Sequence, residues 1–148
     1  GDKIPITIVR PFNYTGVGQS VAFLIPKIVR AARERRGALK MGNLDVFRDF
    51  SDVRGVVAAY CKLLQAPQSA GETFNICSGT TVSIRDILEM LANMTGVDWQ
   101  IAVDPALVRQ NEVRVLRGSK DKFEALIGPL SMPPLRETLE WMLEKGAD

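Results

Sequence analysis

The chain has 148 residues, a length typical of one domain, and 46% of them are hydrophobic, which is enough for a sizeable core. The formal net charge is only +2, so the totals indicate neither an acidic disordered chain nor a strongly basic nucleic-acid-binding protein. Histidine is absent. This excludes a Ser-His-Asp triad, a Cys-His pair and a histidine general base built from this chain alone.

Cysteine spacing and hydropathy limit the other function classes. Cys61 and Cys77 form no CxxC pair, which with the lack of histidine argues against a zinc site and a disulfide framework. The longest apolar runs, residues 4–9 and 21–25, fall far short of the roughly 20 residues that a membrane span needs. No basic segment followed by an apolar one opens the chain. We therefore expect a cytoplasmic protein without a metal site or a membrane partner.

The first predicted element is a strand, because residues 4–9 form a nearly continuous β-rich apolar run. Such a run is typical of a strand covered on both faces in a parallel sheet. A loop is expected over residues 10–20, where Pro11 and Gly18 interrupt regular structure. Pro26 then falls in the first turn of a helix or at a kink. The apolar residues with helical spacing that predict this helix are Val21, Leu24, Ile25, Ile28, Val29 and Ala32.

The middle of the chain continues the alternation. Residues 39–46 predict a short strand and a turn around Gly42-Asn43. Ser51 or Asp52 can cap the next helix, and a strand is expected over residues 73–77, after Gly71. The predicted buried stripe of that helix consists of Val53, Val56, Val57, Tyr60 and Leu64.

The remaining elements complete an α/β pattern. Ser83 and Asp86 resemble a capping box before a helix that Gly96 ends. A strand is expected over residues 99–103, a short helix over 119–127, and a last amphipathic helix after Pro133-Pro134. The predicted buried residues of the two longer helices are Ile84, Ile87, Leu88, Leu91, Leu135, Leu139 and Met142. Alternating strands and helices predict an α/β fold, organised as one unit over residues 1–148.

Five segments carry a family resemblance. They are Arg10-Pro11-Phe12-Asn13, Gly42-Asn43-Leu44-Asp45, Arg48-Asp49-Phe50, Phe74-Asn75-Ile76-Cys77-Ser78-Gly79, and Asp104-Pro105 leading to Arg109 and Glu112. In this order they resemble the carboxyl-terminal half of extended short-chain dehydrogenase/reductases. The chain looks most similar to the GDP-mannose 4,6-dehydratases and GDP-4-keto-6-deoxy-mannose reductases within that superfamily.

The resemblance implies a fold and a function. The fold is the last strands of a Rossmann-like sheet plus the smaller substrate-binding subdomain. The function is to bind a GDP-hexose within an enzyme that uses NADP or NAD. The amino-terminal half is expected to be absent, because the sequence has neither the glycine-rich cofactor turn nor Tyr-x-x-x-Lys. We therefore expect no tight cofactor binding and no turnover by this chain alone, and we expect its partner to be the missing half or a second copy.

The family also implies roles for individual residues. Cofactor-binding roles fall on Arg10, Pro11 and Phe12, and substrate-binding roles fall on Asn13, Leu24, Lys27, Gly42, Asn43, Arg48, Arg109 and Glu112. The arginines are expected to meet the diphosphate, because a guanidinium is a rigid fork of donors for two phosphate oxygens. Asn13 offers donors and acceptors without net charge. Glu112 is expected to meet the ribose or base, and Gly42-Asn43 to let the backbone approach the purine.

Each of these residues also has a simpler interpretation when it is taken alone. Asn13 suits an Asx turn, Lys27 a solvated helix charge, and Gly42-Asn43 a plain hairpin turn. Arg48 suits an ion pair with Asp49 or Asp52. Arg109 and Glu112 suit an exposed salt bridge worth less than about 1 kcal/mol.

Three other functions remain open at this stage. The chain is also compatible with part of a UDP- or dTDP-sugar epimerase or dehydratase, and with a non-catalytic nucleotide-sugar-binding module. The third is an anion or nucleic-acid patch formed by Lys27, Arg30, Arg33, Arg35 and Arg36. Such a run is more typical of the solvated face of an amphipathic helix, so we expect no nucleic-acid partner.

Overall fold

The computed structural model describes residues 4–108 and 111–146. The strands in this part of the chain are β1 (Ile8–Pro11), β2 (Asn13–Thr15), β3 (Ala38–Met41), β4 (Phe47–Arg48), β5 (Phe50–Asp52), β6 (Thr73–Ile76), β7 (Val82–Ser83), β8 (Gln100–Val103) and β9 (Val115–Leu116). The α-helices are α1 (Leu24–Arg33), α2 (Val53–Leu64), α3 (Ile84–Thr95), α4 (Asp121–Ile127) and α5 (Leu135–Lys145). None of these helices combines the length and apolar character that crossing a bilayer requires.

The strands form four small sheets, and most of the pairings are parallel. β1 pairs with β6, β2 with β5, and β3 with β8, each in parallel. β4 lies between antiparallel β7 and parallel β9. Parallel strands need long crossover connections, and in this chain helices provide them. The predicted α/β class is confirmed.

The larger of two cores lies among α1, α3 and α5. Ile28, Ile87 and Leu139 are fully shielded from solvent in it. The predicted capping box is present, since the Ser83 hydroxyl accepts from the Asp86 backbone N–H and the Asp86 carboxylate accepts from the Ser83 backbone N–H. The predicted end of α3 at Gly96 is also confirmed, because this residue adopts a left-handed conformation with φ of 71°.

The second core lies between α2, β6 and α4. The rings of Phe74 and Phe123 meet edge to face with their centroids 6.4 Å apart. The predicted stripe of α2 was wrong in part. Val56 is buried as expected, but Val57 is exposed and Leu64 is 87% exposed, and the buried positions are Gly55, Val56, Ala59 and Leu63. Small residues turn toward the neighbouring elements and leave two large apolar side chains outside.

The predicted strand over residues 4–9 was also wrong in its bounds and its burial. β1 begins only at Ile8, and Ile4 is 81% exposed and Ile8 51% exposed. Within the described residues β1 pairs with β6, so one edge and much of one face lack a covering element. The β-rich apolar pattern predicted a strand covered on both faces, and the described residues supply the strand but not that covering.

The predicted loop over residues 10–20 contains an unpredicted strand. Asn13, Tyr14 and Thr15 lie beside Phe50, Ser51 and Asp52 in register. This pairing is set by a partner almost forty residues away, so local composition gave no sign of it. It matters for the site because it places Asn13 beside the segment that carries Arg48.

A buried carboxylate links the two cores. Asp52 caps α2 by accepting from the Arg54 backbone N–H at 2.7 Å, and it also accepts from the Arg54 guanidinium and the Thr138 hydroxyl of α5. Arg54 in turn stacks over Trp141. Burial by itself raises the pKa of the Asp52 carboxyl, but the hydrogen bonds from Arg54 and Thr138 and the Arg54 charge outweigh it and hold the pKa below its ordinary value.

This arrangement predicts a pH-dependent stability. Because the pKa of Asp52 is lower in the folded state than in an unfolded chain, where it is about 3.9, its stabilising contribution is complete above that value and is lost as the pH falls through the folded-state pKa. We expect Asp52→Asn to lower the free energy of unfolding at neutral pH and to lose part of the acid-dependent decrease. Urea unfolding of both proteins from neutral to acidic pH measures this, and parallel pH profiles would contradict it.

Candidate functional site

One cleft of about 1000 Å³ opens where several strands and loops end. Its walls come from the end of β1 and start of β2, the first turn of α1, the end of β3 and strand β4, together with Leu107, Glu112 and Leu116. Parallel strands commonly bind ligands beyond their carboxyl ends. The predicted site residues that line this cleft are Arg10, Pro11, Phe12, Asn13, Leu24, Lys27, Gly42, Asn43, Arg48 and Glu112. Arg109 lies outside the described residues.

Arg48 is held in a defined orientation from β4. Its guanidinium donates to the backbone oxygens of Phe47 and Val113, each at 2.8 Å, and to Oε1 of Glu112 at 2.9 Å. The Arg48 and Glu112 side chains are only 16% and 18% exposed. The simpler expectation of an ion pair with Asp49 or Asp52 does not describe this site, because Arg48 pairs with Glu112. Two predicted ligand residues therefore meet directly across the cleft.

Asn13 and Lys27 line the cleft from different elements, the start of β2 and helix α1. The Asn13 side-chain amide donates to the backbone oxygen of Asp49 at 3.3 Å. Lys27 projects from the exposed side of α1, and its Nζ donates to the backbone oxygen of Lys40 at the end of β3. Both side chains remain solvent-accessible, so each can exchange its present partner for a ligand oxygen.

Gly42 and Asn43 each have a structural role within their own turn. A Cβ on Gly42 would overlap the carbonyl oxygen of Leu107, so glycine lets two backbone segments meet at the cleft rim. The Asn43 side-chain oxygen accepts from the Asp45 backbone N–H at 3.0 Å, which forms an Asx turn. Gly42 thus allows a close backbone contact within the protein, and its expected close approach to a purine stays a prediction.

The Arg10-Pro11-Phe12 segment forms the wall nearest the paired strands β1 and β6. Pro11 lies opposite Ile76, and the Phe12 backbone N–H donates to the Ile76 oxygen at 2.9 Å. Leu24, at the start of α1, contributes a partly exposed apolar side chain. Both sets of residues line the same cavity.

The lining is cationic and also partly apolar. Among the described lining residues, positive charges come from Arg10, Lys27, Lys40 and Arg48, and Glu112 supplies a negative one. A cleft with this balance attracts anions. The lining residues that sequence reasoning missed include Phe23, Lys40, Phe50, Asn75 and Leu107. Lys40 and Asn75 could have been predicted from the sequence, because each lies within or directly after a predicted strand. No local sequence feature singled out Phe23 or Leu107.

The family is decided by comparison with known sequences. The sequence profile described as GDP-mannose 4,6 dehydratase matches residues 1–130. The chain belongs to this family. The superfamily resemblance drawn from the five sequence segments is thereby confirmed.

Individual relatives agree with the family and show how much of them the chain spans. The GDP-6-deoxy-D-mannose reductase of Pseudomonas aeruginosa is 39% identical over 128 residues, which cover 83% of this chain and 42% of the reductase. A crystal structure from Burkholderia cenocepacia J2315 is 51% identical with a TM-score of 0.92, over 95% of this chain and 46% of that one. The Pseudomonas aeruginosa protein RMD, solved with NADPH, is 34% identical with a TM-score of 0.83, over 94% and 46%. The chain therefore spans less than half the length of these relatives.

Proposed function

We propose that this chain is the nucleotide-sugar-binding part of an NAD(P)-dependent enzyme acting on a GDP-hexose, either a GDP-mannose 4,6-dehydratase or a GDP-4-keto-6-deoxy-mannose reductase. The observation that carries the proposal is the convergence of Asn13, Lys27, Arg48 and Glu112 on one cleft. These residues come from separate segments of the chain. The family match and the similarity to a GDP-6-deoxy-D-mannose reductase support the same substrate class.

The donors suit a diphosphate. Arg48 presents a planar fork that two phosphate oxygens can accept from together. Lys27 and Lys40 add positive charges to the lining of the same cleft. Asn13 also lines it, with an amide that can serve a phosphate or a sugar hydroxyl. Because Glu112 already pairs with Arg48, an entering diphosphate takes over part of the guanidinium and leaves the carboxylate free to accept from ribose hydroxyls or a guanine N–H.

The apolar part of the lining suits flat and weakly polar ligand surfaces. Leu107 lies against Gly42, and Phe23 and Leu24 line the same cavity. A mostly apolar pocket with a few directed polar groups is the usual form of a small-molecule site. We assign the nucleotide base to this end and the hexose to the end near Asn13 and Phe12.

We propose that the cofactor contacts Arg10, Pro11 and Phe12. They lie at the carboxyl end of β1 on the cleft wall, which is where a ligand of a parallel sheet is expected. In the whole enzyme a bound nicotinamide cofactor supplies the hydride chemistry. These residues would form one edge of its site, while the rest of the polypeptide supplies the glycine-rich turn and the Tyr-x-x-x-Lys pair.

Arg48 is the residue whose removal tests the diphosphate assignment. We expect Arg48→Gln to weaken GDP binding by about ten- to a hundredfold, because charge-assisted hydrogen bonds contribute about 1.5–3 kcal/mol. Arg136→Gln is the matched control, since Arg136 makes only an exposed pair with Glu140 on α5. Isothermal calorimetry with GDP measures both variants, with urea unfolding to confirm that each is folded.

The same titration separates the competing substrates. GDP is expected to bind more tightly than UDP or dTDP. A preference for UDP or dTDP would replace the GDP-hexose proposal with the epimerase alternative. Equal GDP affinity of wild type and Arg48→Gln would remove Arg48 from the site, and no binding of any nucleotide would overturn the proposed function.

The domain organisation forms a second part of the proposal. The apolar side chains of Ile4, Ile6 and Ile8 are exposed and stand at alternate positions leading into β1, the spacing that puts the side chains of an extended segment on one face. We propose that this face is covered by a segment equivalent to the amino-terminal half of the relatives. Exposed edge strands with apolar faces are prone to pair with other chains.

A co-purification experiment tests this covering. The chain is co-expressed with a tagged amino-terminal half of the Burkholderia cenocepacia protein, and we expect the two to elute as one complex. Ile8→Lys should abolish the complex because it buries an unpaired charge. Val103→Lys is the matched control on an exposed apolar position of β8. Absence of a complex with the wild-type chain, or an equal effect of both variants, would contradict the covering.

A further inference from the structure

A second buried carboxylate lies directly behind the cleft. Asp49 is 0% exposed and follows Arg48 in the chain. One of its oxygens accepts from the backbone N–H and the hydroxyl of Ser78, at 2.9 and 2.7 Å. The other accepts from the backbone N–H of Gly79 at 3.0 Å and of Gly118 at 3.2 Å. All four donors are neutral, and they come from the two loops that follow β6 and β9.

The backbone of Asp49 is fixed as firmly as its side chain. Its N–H donates to the Leu116 oxygen of β9 at 3.1 Å, and its carbonyl oxygen accepts from the Asn13 side chain. Asp49 therefore contacts the start of β2, the end of β9 and both loops at once. Two of the proposed ligand residues, Asn13 and Arg48, are respectively its hydrogen-bonded partner and its chain neighbour.

The surroundings leave little room for these loops to shift. A Cβ on Gly118 would lie 2.5 Å from the Cys77 sulfur and 3.1 Å from the Phe12 ring. Burial, with a smaller contribution from the Asp49 charge, raises the pKa of the Cys77 thiol to about 11. The thiol thus stays protonated beside the carboxylate. Phe12, on the cofactor wall, is packed against the same loop that Asp49 holds.

We propose that Asp49 is a positioning residue that fixes the spacing of the diphosphate contacts Arg48 and Asn13 and joins that wall to the Phe12 wall. The inference rests on the proposed nucleotide-sugar function. Asp49 does not line the cleft, so its effect on a ligand passes through its neighbours. A buried charge compensated only by directed N–H and O–H groups sets the position of its donors closely, because each lost hydrogen bond leaves part of the charge unsatisfied.

The hydrogen-bond pattern makes the conservative variant informative. In Asp49→Asn, one carboxylate oxygen becomes an NH₂ group, which cannot accept. If the NH₂ group points toward Gly79 and Gly118, both of their backbone N–H groups face another donor. If it points toward Ser78, the Ser78 backbone N–H faces a donor, while the hydroxyl can turn and accept. The side chain keeps its shape, so the change acts on the loops rather than on core volume. We expect GDP affinity to fall at least about tenfold.

Ser78→Ala and Ser69→Ala provide a matched pair. Ser78→Ala removes one hydroxyl donor to Asp49 and should weaken GDP binding about two- to fivefold. The Ser69 hydroxyl donates to the Leu63 backbone oxygen and hydrogen-bonds the Thr7 hydroxyl. Thr7 and Ser69 precede β1 and β6, so these contacts lie at the ends of the two strands opposite to those that Asp49 contacts. Ser69→Ala should destabilise the fold to a similar extent while leaving GDP affinity within about twofold of wild type. This contrast distinguishes positioning from general stability, and it stands even if Asp49→Asn does not fold.

Calorimetry with GDP, urea unfolding and amide hydrogen exchange are measured on all four proteins. In Asp49→Asn and Ser78→Ala without ligand, we expect faster exchange at the Gly79 and Gly118 amides. Wild-type GDP affinity in a folded Asp49→Asn, or equal losses in Ser78→Ala and Ser69→Ala, would overturn the positioning role. A wild-type chain that does not bind GDP would instead overturn the proposed function, and this inference with it.

Discussion

The extended segment from Phe47 to Asp52 has partners on both sides, and much of the rest of the structure is arranged around it. β4 lies between β7 and β9, and β5 continues along β2. Two carboxylates of this segment are buried and fully hydrogen-bonded. Asp49 accepts from the loops after β6 and β9, and Asp52 accepts from α2 and α5. The segment thus holds both cores together through buried charge, which tolerates little displacement. Arg48 owes its fixed direction to this confinement.

The Arg48–Glu112 pair gives the cleft a defined resting state. Both side chains are largely shielded, so the guanidinium is pre-oriented before any ligand enters. A diphosphate gains from this because less side-chain freedom is lost on binding. The same pair also disfavours the binding of weak anions, because an anion must compete with Glu112 for the guanidinium. In the proposed function, selectivity for a nucleoside diphosphate over a single phosphate follows from that competition together with the other cations that line the cleft.

Local signals in the sequence predicted the α/β class, the ends of α3 and most of its buried face, because capping residues and helical spacing are short-range features. They failed where distant segments decide the outcome. β2 exists only through its pairing with β5, and Val57 and Leu64 are exposed because small residues of α2 turn inward. At the site, the family motifs predicted a set of residues that the structure places on one cleft. The Arg48–Glu112 contact and the burial of Asp49 could not be predicted, because they depend on tertiary packing. An aspartate between two short strands of mixed polarity is indistinguishable by sequence from a solvent-exposed one.

The most direct test is a crystal structure of the chain with GDP. We expect the diphosphate within hydrogen-bonding distance of the Arg48 guanidinium and the Asn13 amide, with the Glu112 carboxylate displaced toward the ribose or base and the guanine near Gly42. GDP bound only along the outer basic face of α1, at Arg30 and Arg33, or a diphosphate in the cleft that contacts neither Arg48 nor Asn13, would contradict it.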